Sequence, residues 1–242
     1  MGRDFVKELQ KEKNVDEIWM IARRKERLDV MAEKSNGRLR VLAFDLTDMG
    51  SFKYFEDFLT KEKPQILYLI NAAGAGRMGK VDEISYNDHA FVLDINVRAL
   101  TCMSRICLPY MRKGGRIIQL CSGSAFLPQP EFASYAASKS YVLSFSRALR
   151  QEVKKKGITV TAVCPGPVNT EFFEASGSEI APAKKRFLVE SKDVVKKAMK
   201  DAKSRKEISV YGMSMKLVHL AGKLLPTRVV LSVMNEMMNK HE

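Results

Sequence analysis

Short apolar runs and amphipathic stretches alternate along the chain with a regularity that sets its fold class. Residues 2–12 place Phe5, Val6 and Leu9 on one helical face with charges opposite, yet Gly2 and Arg3 enter the pattern without an N-cap. The run from Asp16 to Ala22 (DEIWMIA) suits a buried parallel strand. The helical RRKERLDVMAEKSN, a stop at Gly37 and a second strand, RLRVLAFDL, come next. A helix over SFKYFEDFLTKEK ends before Pro64, and the strand QILYLINAA runs into the glycines of NAAGAG. A long helical pattern from Ser85 to Met111 closes near Gly114 and Gly115. Strand RIIQLCS, a small-residue loop, a further helix and strand GITVTAVCP follow. The chain then passes through a loop over residues 171–190, a helix near Lys192 to Lys203, the strand EISVY and an apolar, basic region over 213–242. Strands alternating with helices of this length predict an α/β fold: a doubly wound parallel sheet, covered on both faces, with ligands at the C-terminal strand edge.

Composition narrows this picture. A chain of 242 residues with 45% hydrophobic content suits one domain spanning 1–242. Cys102, Cys107, Cys121 and Cys164 form no CxxC pair and have no histidine cluster beside them, which predicts reduced thiols in a cytoplasmic protein rather than a metal site. The charged N-terminus lacks the apolar run of a signal peptide. The apolar stretch Leu217 to Met238 is broken by Lys223, Pro226 and Arg228, so it suits weak contact with a membrane surface, an oligomer contact or a cover over a cleft, not a span. The net charge of +13 favours anionic partners. The basic residues are scattered among acidic neighbours without interleaved aromatics, which argues against nucleic acid.

The chemistry concentrates between Cys121 and Lys139, CSGSAFLPQPEFASYAASK. Tyr135 and Lys139 are four apart on a helix and share a face, and Ser122 reaches in from a strand end. A phenol has a pKa of about 10, and an ammonium near 4 Å at an effective dielectric of about 20 contributes about 4 kcal/mol, enough to bring it down by about three units. Such a spacing is weak alone. His89 and His219 are given no role.

Several further motifs accompany it, each at the edge of an element: Asn71-Ala72-Ala73-Gly74 after the third strand read here, Asn96 in DINV, and Pro165 to Thr170 (PGPVNT) after strand GITVTAVCP. With these, nearly the whole chain resembles the short-chain dehydrogenase/reductase family. The resemblance implies a catalytic set of Asn96, Ser122, Tyr135 and Lys139. Tyr135 would exchange a proton with the substrate oxygen, Ser122 would orient that oxygen, Lys139 would also bond the nicotinamide ribose, and Asn96 would hold a relay water. It further implies cofactor contacts from Asn71, Ala72 and Gly74, from Pro165, Gly166, Val168 and Thr170, and from Asp45 at the adenine. Arg23 and Arg24 stand where an acidic residue would grip the ribose hydroxyls in an NAD-selective member, so the implied cofactor is NADP(H). The implied substrate is a small-molecule carbonyl or secondary alcohol, 3-oxoacyl or steroid-like, with Phe172 and Phe173 walling its pocket. Lys184, Lys185 and Arg186 could meet phosphates of an acyl carrier. By analogy the assembly is a homo-dimer or homo-tetramer.

The family pattern departs in one place. Its opening strand and T-G-x-x-x-G-x-G loop have no counterpart, and Met1-Gly2 resembles the end of that loop. A misassigned start or a truncation is the expectation, with the first strand of the sheet lacking and a gap between the neighbours it would pair. The alternative function is a catalytically silent binding or regulatory protein.

Overall fold

The computed structural model describes residues 1–35, 37–177 and 188–232. Helix α1 (Gly2–Leu9) starts without a side-chain cap and buries Phe5 and Leu9. Strand β1 (Ile18–Ala22), helix α2 (Lys25–Glu33) and strand β2 (Leu39–Ala43) follow, each shorter than its sequence pattern. Arg38 fixes the entry to β2, its guanidinium donating to the carbonyls of Gln10, Glu12 and Val15. Asp48 caps α3 (Met49–Glu62) by accepting from the Gly50 and Ser51 amides, which satisfies donors a helix start leaves open. Strand β3 (Ile66–Asn71) then leads into the glycine-rich loop.

The single helix expected from Ser85 to Met111 is several segments. Ser85 caps α4 (Tyr86–Leu93), a π turn covers Asp94–Arg98, and α5 (Ala99–Cys107) runs into a 3₁₀ turn at Leu108–Tyr110. Pro109 lies in that turn, where its missing N–H prevents the α-helix from continuing. The chain enters β4 (Met111–Leu120) directly, so Gly114 and Gly115 lie inside a strand and do not end a helix. They serve a bulge: Met111 opposes Ile66 while Arg116 opposes Tyr68, leaving extra residues on β4. Gly114 has φ 82°, and a Cβ on Gly115 would meet the Arg112 carbonyl at 2.8 Å.

Helix α6 (Ala133–Val153), strand β5 (Thr159–Val163), the short β6 (Val168–Asn169), α7 (Phe172–Ala175) and β7 (Val189–Glu190) come next. Helix α8 (Ser191–Lys203), strand β8 (Ile208–Ser209) and helix α9 (Met213–Leu224) complete the described elements. Lys184, Lys185 and Arg186 fall outside the described residues.

The parallel sheet is present in two pieces. One has the order β3-β4-β5-β8, the other is the β1-β2 pair, and among the described residues no backbone hydrogen bond joins β1 to β3. The gap expected from the sequence is therefore observed. Cores nevertheless cross it on both faces. Ile18 and Met20 of β1 share one with Tyr68 and Ile70 of β3, under α1 and α8. Trp19 and Ile21 share the other with Ile66 and Leu69, under α3 and α5. Successive side chains of β1 thus enter opposite cores, as do those of β3 from Tyr68 onward, after the irregularity that separates Ile66 from Tyr68.

Candidate active site

The loops at the C-terminal ends of β1, β3, β4 and β5 line one cavity of about 2400 Å³, which also runs between β1 and β3. Into its wall the fold brings Ser122, Tyr135 and Lys139. Ser122 follows β4 and caps the 3₁₀ turn Gly123–Phe126, accepting from the Ser124 amide at 3.1 Å. Tyr135 and Lys139 lie in the first two turns of α6 and are 8% and 3% exposed. The ammonium stands 5.6 Å from the centroid of the phenol ring and donates to the Leu120 carbonyl at 3.0 Å. An ammonium carries three donors, so this one carbonyl leaves donors available to a molecule in the cavity.

The electrostatics differ from the simple pairing expected above. Burial raises the Tyr135 phenol well above its ordinary value, and the Ser122 hydroxyl beside it acts in the opposite sense. Burial also brings Lys139 down to about 8, despite the thiols Cys121 and Cys164 nearby, which favour its charged form. Desolvation dominates both groups, and the ammonium does not drive the phenol down.

Asn96 is 1% exposed and sits in the π turn, where an extra residue in the helix turns its side chain onto the β3 loop. Its amide accepts from the Ala75 N–H at 2.9 Å and donates to the Ala75 carbonyl at 2.8 Å and to Ser138 Oγ at 2.9 Å. It clamps the glycine-rich loop against α6. Gly74 lies beneath this clamp, and a Cβ there would come within 3.2 Å of Asn96 Oδ1 and 3.3 Å of Lys139 Nζ. Asn71 is turned into the sheet: it donates to Gln119 Oε1 at 2.8 Å and Ser104 Oγ at 3.2 Å, tying β3 to β4. Ala72, Pro165, Gly166, Val168 and Thr170 line the cavity. The Pro165 carbonyl accepts from the Gly123 amide, joining the β5 loop to the serine loop.

Arg23 reaches Asp45 at 3.6 Å and covers the Phe91 ring at 5.5 Å. Asp45 also accepts from the Thr47 amide and hydroxyl, each at 2.8 Å. Arg24 lies 3.7 Å from Glu171, whose carboxylate accepts from Arg3 at 2.7 Å and Arg27 at 2.8 Å. The Arg27 bond, with Arg3 and Arg24 nearby, holds this carboxyl below its usual range. The start of the 171–190 loop is thereby clasped to α1 and α2.

Phe172 stands 5.3 Å from Tyr135, and Phe132 stacks on Tyr135 at 4.3 Å. Phe173 meets Phe172 edge-on at 5.8 Å. These rings give the phenol an apolar wall. On the other side Met215 of α9 covers Gly166, where a Cβ would lie 2.8 Å from its Cγ, and His219 packs on Phe126 at 4.3 Å. Helix α9 thus places Met215 and Val218 on the cavity wall, against the loops of Gly123 and Gly166. Phe132, Glu171 and Met215 carried no sequence signal of their own, because each is defined by what it meets across the fold. His89 bonds Ser134 and the Val81 carbonyl, away from Tyr135.

A model of the short chain dehydrogenase family matches residues 1–181. The chain belongs to that family. Among its relatives, an 11-beta-hydroxysteroid dehydrogenase-like 3 protein of Arabidopsis thaliana is 32% identical over 63% of this chain and 51% of its own length. The oxidoreductase UcpA of Salmonella typhimurium is 29% identical over 64% of this chain and 61% of its own. The chain thus spans about half the length of the Arabidopsis relative. A short-chain dehydrogenase from Sphingobium yanoikuyae in complex with NADPH superposes with a TM-score of 0.79 at 23% identity, covering 96% of this chain and 91% of that one. One from Burkholderia phymatum in complex with NAD gives 0.79 at 20% identity, covering 92% and 89%. At these identities the structures establish the shared dehydrogenase fold. Among the described residues no helix is long and apolar enough to cross a membrane.

Proposed function

We propose that this dehydrogenase uses NADP(H) to interconvert a carbonyl and a secondary alcohol on an apolar substrate, steroid-like or 3-oxoacyl. The observation that carries the reading is the convergence of Ser122, Tyr135 and Lys139 on the cavity wall, with Phe132 and Phe172 against the phenol. NADP(H) supplies or accepts the hydride when bound. The protein's own part is the proton. Tyr135 Oη gives it to the substrate oxygen in reduction and takes it back in oxidation, Ser122 Oγ orients that oxygen, and Lys139 Nζ would bond the ribose hydroxyls of the cofactor. A substrate oxygen and a ribose hydroxyl would restore polar partners that burial denies the phenol and the ammonium.

Whether the chain fits the cofactor can be judged from its donors. The buried Lys139 ammonium with donors to spare and the loop 165–170 suit the nicotinamide end. Arg23 and Arg24 suit a 2′-phosphate, although Asp45 and Glu171 neutralise them as the chain stands. The steroid-like class is favoured by the aromatic wall and by the name of the Arabidopsis relative. A second reading, nucleotide binding without turnover, is favoured by the division of the sheet beside the arginines.

The test is NADPH oxidation, followed by absorbance, with a panel of bulky apolar ketones, for the wild type and Tyr135→Phe. Turnover that is abolished by Tyr135→Phe while NADPH binding persists supports the enzyme reading. NADPH binding with no turnover of any ketone, in either direction, favours the second reading, and turnover unchanged in Tyr135→Phe removes the assigned proton donor.

A further inference from the structure

We infer that Cys121 and Cys164 form a modification site, at which a hydroperoxide entering the cleft closes a disulfide beneath Lys139 and shuts down turnover until the bond is reduced. Cys121 follows the last residue of β4, and Cys164 follows the last residue of β5. Leu120 opposes Val163 in the parallel register, and the ladder reaches the cysteines, with the Cys121 amide donating to the Val163 carbonyl at 2.9 Å. The two cysteines are therefore neighbours across the sheet. Leu120 and Val163 enter one core, whereas Cys121 and Cys164 share another with Val142 and Leu143 of α6, so both thiols leave the sheet on the same face. They are close enough to share a hydrogen bond. Neighbouring strands lie about 4.8 Å apart, inside the range of roughly 4.4 to 6.8 Å that a disulfide spans between Cα atoms, so the bond closes with little movement of either strand.

The surroundings give the two sulfurs different parts. Burial opposes ionisation of Cys121, but the bond with Cys164 and the Lys139 ammonium outweigh it and hold this thiol below its ordinary value. The same bond, together with burial, pushes Cys164 well above its own. Cys121 lines the cavity, and Cys164 is fully buried behind it, which is the arrangement of an attacking sulfur and a resolving one. Cys107 also lines the cavity, but burial alone acts on its thiol and pushes it up to about 12, leaving it unreactive. In the first step the Cys121 thiolate attacks a peroxide oxygen: the S–O bond forms, the O–O bond breaks, and the departing oxygen takes up the proton that Cys121 released. In the second, Cys164 attacks the sulfur of this sulfenic acid: the S–S bond forms, the S–O bond breaks, and the oxygen leaves as water with the Cys164 proton. The two thiols give up two electrons and the hydroperoxide accepts them.

The reduced Cys121 Sγ donates to the Lys139 carbonyl at 3.2 Å. A disulfide removes this donor and the thiols that favour the Lys139 ammonium, and it pulls on the residue immediately before Ser122. The loss of turnover rests on the function proposed above, whereas closure of the bond does not.

The four cysteines fall in separate tryptic peptides, 99–105, 106–112, 117–139 and 157–184. Fully reduced protein is treated with hydrogen peroxide near neutral pH, the remaining thiols are blocked with iodoacetamide, and the digest is mapped without reductant by mass spectrometry. The expected product joins 117–139 to 157–184, with the loss of two hydrogens. It forms before any oxygen is added to Cys102 or Cys107, and dithiothreitol removes it. Turnover of a ketone is lost in proportion to the joined fraction and returns with dithiothreitol. In Cys164→Ala no joined product forms, and Cys121 keeps a sulfenic acid that dimedone traps. Oxidation of Cys102 or Cys107 ahead of the pair in the wild type, or stable oxygen addition at Cys121 with Cys164 still free, overturns the inference. Complete joining with turnover unchanged overturns the control of the enzyme. If the reduced protein turns over no ketone at all, the proposed function fails, and the peptide map still decides whether the pair closes.

Discussion

Replacing Asn96 by alanine isolates the clamp on the glycine-rich loop. The side chain is 1% exposed and makes three hydrogen bonds, two to Ala75 and one to Ser138 Oγ. Each is worth about 1 kcal/mol net, so their loss costs about 3 kcal/mol, with the half-buried Ala75 amide left without its side-chain acceptor. For a domain of this size that corresponds to a fall of about 6 to 12 °C in unfolding temperature. The alanine's own helix preference recovers only about 0.5 kcal/mol, because a π turn needs the extra residue that an α-helix does not. Urea unfolding of the wild type and Asn96→Ala gives the difference, and exchange of the Ala75 amide tells whether the loop is released. A change below about 0.5 kcal/mol, with the Ala75 amide still protected, would show that backbone packing and not the asparagine holds the loop.

Asp201 is 2% exposed and accepts from Lys197 at 2.7 Å and from Ser209 Oγ at 2.8 Å, with Lys206 at 2.9 Å. Burial opposes its ionisation, but these partners outweigh it and the carboxyl is held below its ordinary value. Its stabilisation is therefore complete above a pH of about 4 and is lost as pH falls through the folded-state value. Asp201→Asn should cost about 2 kcal/mol at pH 7 in urea unfolding and progressively less in acid. Leu59 is fully buried, and Leu59→Ala should destabilise by about 2 to 5 kcal/mol in the same assay. Glu171→Gln should free Arg3, Arg24 and Arg27 and tighten binding of 2′,5′-ADP by up to about five-fold in calorimetric titration, an advantage that disappears at high salt.

Much of this site was legible in the sequence because its chemistry sits where periodicity changes. Ser122, Tyr135 and Lys139 flank the switch from strand β4 to helix α6, and Asn71 to Gly74 and Pro165 to Thr170 mark the same switch after β3 and β5. The gap in the sheet was legible only against the family's pattern, whose opening strand and glycine loop have no counterpart here, and from a first helix that starts without a cap. What could not be read depends on distance in space. The clasp of Glu171 joins it to Arg3, 168 residues away. Phe132 and Phe172 become a wall only when Tyr135 lies between them. Gly114 and Gly115 read as a helix stop because glycine marks both a C-terminus and a bulge, and only the register against Ile66 decides. The phenol's surroundings were likewise hidden: a helical i,i+4 pairing gives the ammonium's direction but not how dry both groups become.

The π turn at Asp94–Arg98 divides what looks like one helix into two with different phases. One residue advances an α-helix by about 100°, so the apolar stripe of α5 is rotated by that much from the continuation of α4. Deleting a single residue there would repair the hydrogen-bond ladder and yet swing Leu100, Met103 and Cys107 out of the cores they fill. For anyone redesigning this protein, the segment behaves as a mechanical joint with a fixed offset, and the most regular helix is the wrong target.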